Sequence, residues 1–126
     1  MMRGSHHIKS WSATQKRVAL SSAEADLGAL VKGSAEAIGV IQMAHGLGRQ
    51  VSAEMLVDSS AAWGVVQRKG CEKLRHVRAG QLWIQQLAED GGLRYSKVKG
   101  ESNPADLCSK HLPGQQSTGM RARYLC

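Results

Sequence analysis

The longest uninterrupted pattern in this chain runs from Ser21 to Gly48, and it predicts one long helix around which the remaining elements must pack. Ala23, Leu27, Leu30, Val31, Ser34, Ile38 and Ile41 repeat at helical spacing. Ser21 or Ser22 can cap the start, and Glu24 and Asp26 place negative charge near the positive end of the helix dipole. Gly46 and Gly48 supply the usual C-terminal stop. Gly28, Gly33 and Gly39 each weaken a free helix, so this one must be held by what it packs against.

The flanking sequence supplies those partners. His7 to Trp11 and Arg17 to Leu20 have strand character and are separated by a polar stretch, which suggests an antiparallel hairpin. Beyond the long helix, Met55 to Val57 reads as a short buried strand ending at Asp58. Ser59 or Ser60 then caps a second helix over about residues 60 to 68, which Gly70 breaks. A third helix is expected over about 74 to 89, with Leu74, Val77, Leu82, Trp83 and Leu87 as core candidates and Gly91-Gly92 as the stop. Leu93 to Val98 alternates apolar with polar, as a half-buried strand does. Asn103 followed by Pro104 opens a short last helix, ending near Pro113. The order strand, strand, helix, strand, helix, helix, strand, helix is a mixed α/β pattern. A domain over residues 5 to 113 and a basic, disordered tail over 114 to 126 are expected.

At 126 residues the chain is long enough for one domain. Aromatic residues make up 4% and Phe is absent, so the core must be mainly aliphatic. Seventeen Lys and Arg against ten Asp and Glu give a net charge of +7, which favours polyanionic partners. No apolar run is long enough to span a membrane, and the first ten residues lack the apolar core of a secretory signal. The three cysteines, Cys71, Cys108 and Cys126, are odd in number and far apart; reduced thiols in an intracellular setting, cytoplasmic or nuclear, are expected.

Three acids fall at element ends, where a site can be assembled: Asp26 early in the long helix, Asp58 at the end of a strand, and Asp106 in the first turn of the last helix. Clustered carboxylates repel and require a compensating cation. Mg²⁺ prefers oxygen ligands, and a pair of such ions supports phosphodiester cleavage. Isolated acids at helix starts are equally well explained as dipole partners. Arg68, Lys69, Lys73, Arg75 and Arg78 form a basic cluster opposed only by Glu72, suited either to phosphate contact or to a solvated helix surface. Cys71, His76, Cys108 and His111 lack the C-x2-C or C-x4-C spacing of a zinc site. Trp63 and Trp83 lie on expected helices and read as core residues before base-stacking ones.

Four local strings, taken in order, add to this reading. V-A-L-S-S-A-E-A-D-L-G-A-L (18 to 30), L-V-D-S-S-A-A (56 to 62), L-R-H-V (74 to 77) and N-P-A-D-L-C-S-K-H-L-P (103 to 113) together resemble the ribonuclease H-like domain of copia-type retrotransposon Pol polyproteins. That resemblance implies an α/β fold with a ribonuclease H-like mixed sheet and flanking helices. It implies cleavage of the RNA strand of RNA–DNA hybrids by carboxylates holding two Mg²⁺ ions. Asp26, Asp58 and Asp106 stand at three of the family's carboxylate positions, with Asp26 where the family has Glu. Glu24 is about 200° away round the same helix, so the two cannot serve one site together. The basic cluster would then hold the hybrid, and the rest of the Pol polyprotein would be a partner. The family's first carboxylate comes from a central strand ahead of the Trp11 segment. No Asp precedes Asp26 in this chain, which implies a domain truncated at its front, lacking that central strand and inactive alone. A non-catalytic nucleic-acid-binding or relic module, and an unrelated small α/β protein, remain as alternatives.

Overall fold

A computed structural model describes residues 1–4, 6–11, 21–68, 78–103 and 105. The chain forms two compact units: Met1–Thr14 with Lys99–Cys126, and Gln15–Val98.

In the first unit, β1 (Met2–Arg3) pairs antiparallel with β2 (His6–His7), in the register Met2↔His7 and Arg3↔His6. Gly4 begins the connection at φ 59°, a left-handed value that a tight hairpin needs and that glycine adopts without steric cost. The sequence placed a strand at His7 to Trp11 and none before it. Residues 8–11 are instead irregular, because the chain closes on Met1: its carbonyl accepts from the Ile8 and Lys9 N–H groups, and its ammonium donates to the Lys9 carbonyl. The expected partner strand, 17 to 20, lies outside the described residues. Gly100–Ser102 forms a 3₁₀ turn, and the Asn103 side chain accepts the Ala105 N–H at 3.1 Å, as a cap would. The rest of the expected last helix and the tail over 114 to 126 also lie outside the described residues.

The second unit is built on α1 (Ser22–Gly46). Its start is the expected one: Ser21 is the N-cap, and its hydroxyl accepts the Glu24 N–H at 3.2 Å. Its end is a Schellman turn. Gly48 stands at φ 71°, its N–H bonds to the His45 carbonyl, and the Arg49 N–H bonds to that of Ala44. Leu27, Leu30, Ser34 and Ala37 form the buried stripe, so Ile38 and Ile41 are only half-buried.

β3 (Glu54–Val57) and β4 (Arg94–Lys97) form a parallel pair in the register Glu54↔Arg94 to Val57↔Lys97. Parallel strands need a crossover, and α2 (Ser60–Gln67) and α3 (Arg78–Glu89) lie along it. Ser59 caps α2, accepting the Ala62 N–H at 3.3 Å. Val57 is buried but Leu56 is 49% exposed, so β3 is covered on one face only, in place of the fully buried strand expected. The α3 face turned inward carries Gln81, Ile84 and Gln85, at i, i+3 and i+4; Leu82 lies about 100° round and is half exposed, contrary to expectation. Gln85 is tied to the Val65 carbonyl at 3.1 Å.

The core joins Leu27, Leu30, Val57, Ala62 and Ile84, with Trp63 and Trp83 packed against it. Two small residues of α1 let it approach the sheet closely. A Cβ on Gly33 would stand 2.8 Å from the Met55 methyl. Beside it, the fully buried Ser34 hydroxyl shares a 3.1 Å hydrogen bond with the Tyr95 phenol. Gly80 of α3 comes equally near: a Cβ there would lie 3.1 Å from the Val31 side chain.

Gly39 lies inside α1 with open space around it. Replacing it with Ala should stabilise the protein by about 1 kcal/mol through helix propensity alone, measurable as a raised midpoint in urea with unchanged slope. Burial raises the Tyr95 phenol above its ordinary value, and the Ser34 bond pulls the other way. The unfolded phenol ionises first as pH rises. This contribution is therefore complete below about pH 10 and lost above it. Tyr95→Phe should cost about 1 kcal/mol near neutrality through the orphaned Ser34 hydroxyl. It should also flatten the alkaline loss of stability; an identical alkaline limb in both proteins would contradict this.

Candidate functional site

The acids singled out in the sequence fall on different elements. Asp26 is the fifth residue of α1 and is exposed. Asp58 follows the last residue of β3 and precedes the cap Ser59, and it is half-buried. Strand end and helix start thus bracket it, a position fixed by Val57 in the core on one side and the Ser59 cap on the other. Asp106 lies outside the described residues, so its place relative to the other two is not part of this geometry. Among the described residues no three His, Cys, Asp or Glu side chains come together as a metal-binding group.

The two faces of α1 that flank its buried stripe point to different neighbours. Asp26 and Gly33 are seven residues apart, which is about two turns, so they share a face. Gly33 is the residue against the Met55 methyl of β3. Glu24 and Val31 share another face by the same spacing, and Val31 lies against Gly80 of α3. Asp26 is therefore on the sheet side of α1 and Glu24 on the α3 side.

Of the basic cluster, Arg68 is the C-terminal cap of α2 and is exposed. Arg78 opens α3. Lys69, Lys73 and Arg75 lie outside the described residues, as do Cys71, His76, Cys108 and His111.

A cation that the sequence reading passed over stands at the same end of the sheet. Lys97, the last residue of β4, is in register with Val57, and its ammonium donates to the Ser60 hydroxyl at 2.7 Å. The alternation of Leu93 to Val98 was the available signal, because it places Lys97 on the same strand face as Tyr95. At the other end of the strands the Ser96 hydroxyl donates to the Glu54 carboxylate.

These described residues define a mixed α/β protein with three helices and two small sheets among them, with Asp58 following β3 and Lys97 ending β4 at the C-terminal end of the parallel pair. The chain is 30% identical over 107 residues to the retrovirus-related Pol polyprotein from transposon TNT 1-94 of Nicotiana tabacum. It is thus related in sequence to a segment of a retrotransposon Pol polyprotein. The alignment takes in 82% of this chain and 8% of that polyprotein, so the chain spans less than a tenth of its relative's length. No protein-family model matches the chain, and no solved structure matches it. No helix among the described residues is long and apolar enough to cross a membrane.

Proposed function

We propose that this chain is a segment of the ribonuclease H-like unit of a copia-type Pol polyprotein, built to act on RNA–DNA hybrids through Asp26, Asp58 and Asp106. The observation that carries the reading is the register between α1 and β3. Leu27 and Leu30 share one core cluster with Val57, while Gly33 meets Met55. On this reading α1 runs back along β3, so that the start of the helix would lie toward the end of the strand. From Gly33 back to Asp26 the helix rises about 10 Å, and from Met55 to Asp58 the strand advances about 10 Å. Asp26 and Asp58 would then come level at one end of the strand pair. The polyprotein relative supports the same reading from sequence.

The donors fit a hard divalent cation: they are carboxylate oxygens, and Asp26 and Asp58 come from separate elements, α1 and the end of β3. Asp26, Asp58 and Asp106 would hold Mg²⁺, which when bound activates a water and stabilises the leaving oxygen of a phosphodiester. Asp26 has one methylene fewer than the family's Glu, so its carboxylate reaches about 1 Å less far into the site, enough to weaken positioning. The part of the chain's own residues is to fix the spacing of the carboxylates. The basic segment from Arg68 to Arg78 would neutralise phosphates of the bound hybrid. A fourth carboxylate on an adjoining strand, which the resemblance requires and residues 1–25 do not supply as Asp, would complete the catalytic set.

The net charge of +7 favours a second reading, in which the chain binds nucleic acid without cutting it. One assay separates the two. With Mg²⁺ and a labelled RNA–DNA hybrid, the chain as it stands should give no detectable cleavage. Joined to an upstream Asp-bearing strand it should cleave, and Asp58→Asn should abolish that cleavage. Binding without cleavage in the extended protein would favour the second reading; cleavage by the unextended chain that survives Asp58→Asn would reject the carboxylate assignment. Binding to the hybrid should weaken with salt, and neutralising Arg75 and Arg78 together should lower the slope of log affinity against log salt by about two. An unchanged slope would remove the basic segment from the interface.

A further inference from the structure

We propose that Lys97, held in place by Ser60, is a phosphate-contact residue of the carboxylate corner, taking a phosphodiester oxygen of a bound nucleic-acid strand. The proposal rests on the nucleic-acid reading above and adds to it a residue from a different part of the chain. Three observations place Lys97 there. Its register partner is Val57, so its backbone stands one strand spacing, about 5 Å, from the residue that precedes Asp58. It shares a strand face with Tyr95, whose phenol bonds to Ser34 of α1. It therefore lies on the side of the sheet that α1 covers. Its ammonium reaches past the end of the strand to the Ser60 hydroxyl, 2.7 Å away, two residues beyond Asp58.

The chemistry favours an anion at this point. Asp26 and Asp58 bring negative charge to one end of the sheet, and a polyanion approaching them meets repulsion unless a cation stands between. Lys97 is exposed, so its ammonium is accessible to a ligand. Among the described residues Ser60 is its hydrogen-bond partner, and an ammonium has three protons to give. Ser60 fixes the direction of an otherwise flexible side chain, and two protons remain to be donated to a phosphate oxygen. Lys32 supplies a contrast. It lies on α1, exposed, about 140° from the buried Leu27 and so on the face turned from the sheet.

The test uses the full chain and a fluorescein-labelled RNA–DNA hybrid, with affinity read by anisotropy over a range of salt. Lys97→Gln should weaken binding three- to ten-fold, a range on the order of one lost phosphate contact, and lower the salt slope by about one. Lys97→Arg should restore both, Ser60→Ala should weaken binding less than Lys97→Gln does, and Lys32→Gln should match the parent. A lost structural role would change thermal stability, not the salt slope, and melting curves run alongside detect it. If the parent binds the hybrid and Lys97→Gln binds it with the same affinity and slope, the proposal is overturned while the nucleic-acid reading stands. The same series on duplex DNA separates the two ideas. Binding to duplex DNA that depends on Lys97, with none to the hybrid, keeps the phosphate contact and rejects the hybrid reading; binding to neither rejects both.

Discussion

The close seating of α1 on the two parallel strands is the constraint from which the second unit follows. Two strands cannot form a stable sheet alone, and a helix with three interior glycines is a poor helix alone. Each corrects the other's weakness. Gly33 gives up a side chain so that Met55 can enter the helix surface, and Ser34 gives up apolar area so that the Tyr95 phenol is satisfied inside. The glycine that weakens the isolated helix is thus the one that permits the contact. A similar exchange is made at Gly80, which admits the Val31 side chain.

Much of this was legible before any coordinates. The caps Ser21 and Ser59, the stop at Gly48 and the strand that ends at Asp58 were all present as local signals, because capping and turn chemistry act over a few residues. What the sequence concealed was tertiary. Leu82 and Ile84 are equally apolar, and only the position of Gly80 against Val31 decides which of them turns inward. Leu56 looks like a core residue until the sheet is known to be covered on one face. The irregular run at residues 8–11 reflects hydrogen bonds to Met1 that no periodicity encodes.

The candidate site divides in the same way. Asp26 and Asp58 were proposed from their positions at element ends and from the family strings; Asp26 rather than Glu24 matches the family position, and helical geometry only keeps both from serving one site. In the structure Glu24 shares its helix face with Val31, which meets Gly80 of α3, and Asp26 shares its face with Gly33, which meets Met55 of β3. The alternation of its strand hints at the face Lys97 takes, but its pairing with Val57, beside Asp58 and 39 positions away in sequence, follows only from the parallel register. Sequence relatedness to a Pol polyprotein segment supports the proposed corner. It does not specify the residues that set its charge.

The outer side of the strand pair has a bearing on behaviour in concentrated solution. Leu56 stands half exposed there, and Glu54 and Arg94 face outward in direct register at the first rung. A greasy rung on a short parallel ribbon invites a neighbouring molecule to stack or to add a strand, whereas opposite charges at its entrance make such an approach costly and register-specific. Charged side chains beside an exposed apolar rung are the guard that natural strand edges use against unwanted pairing, and their effect weakens as salt screens them.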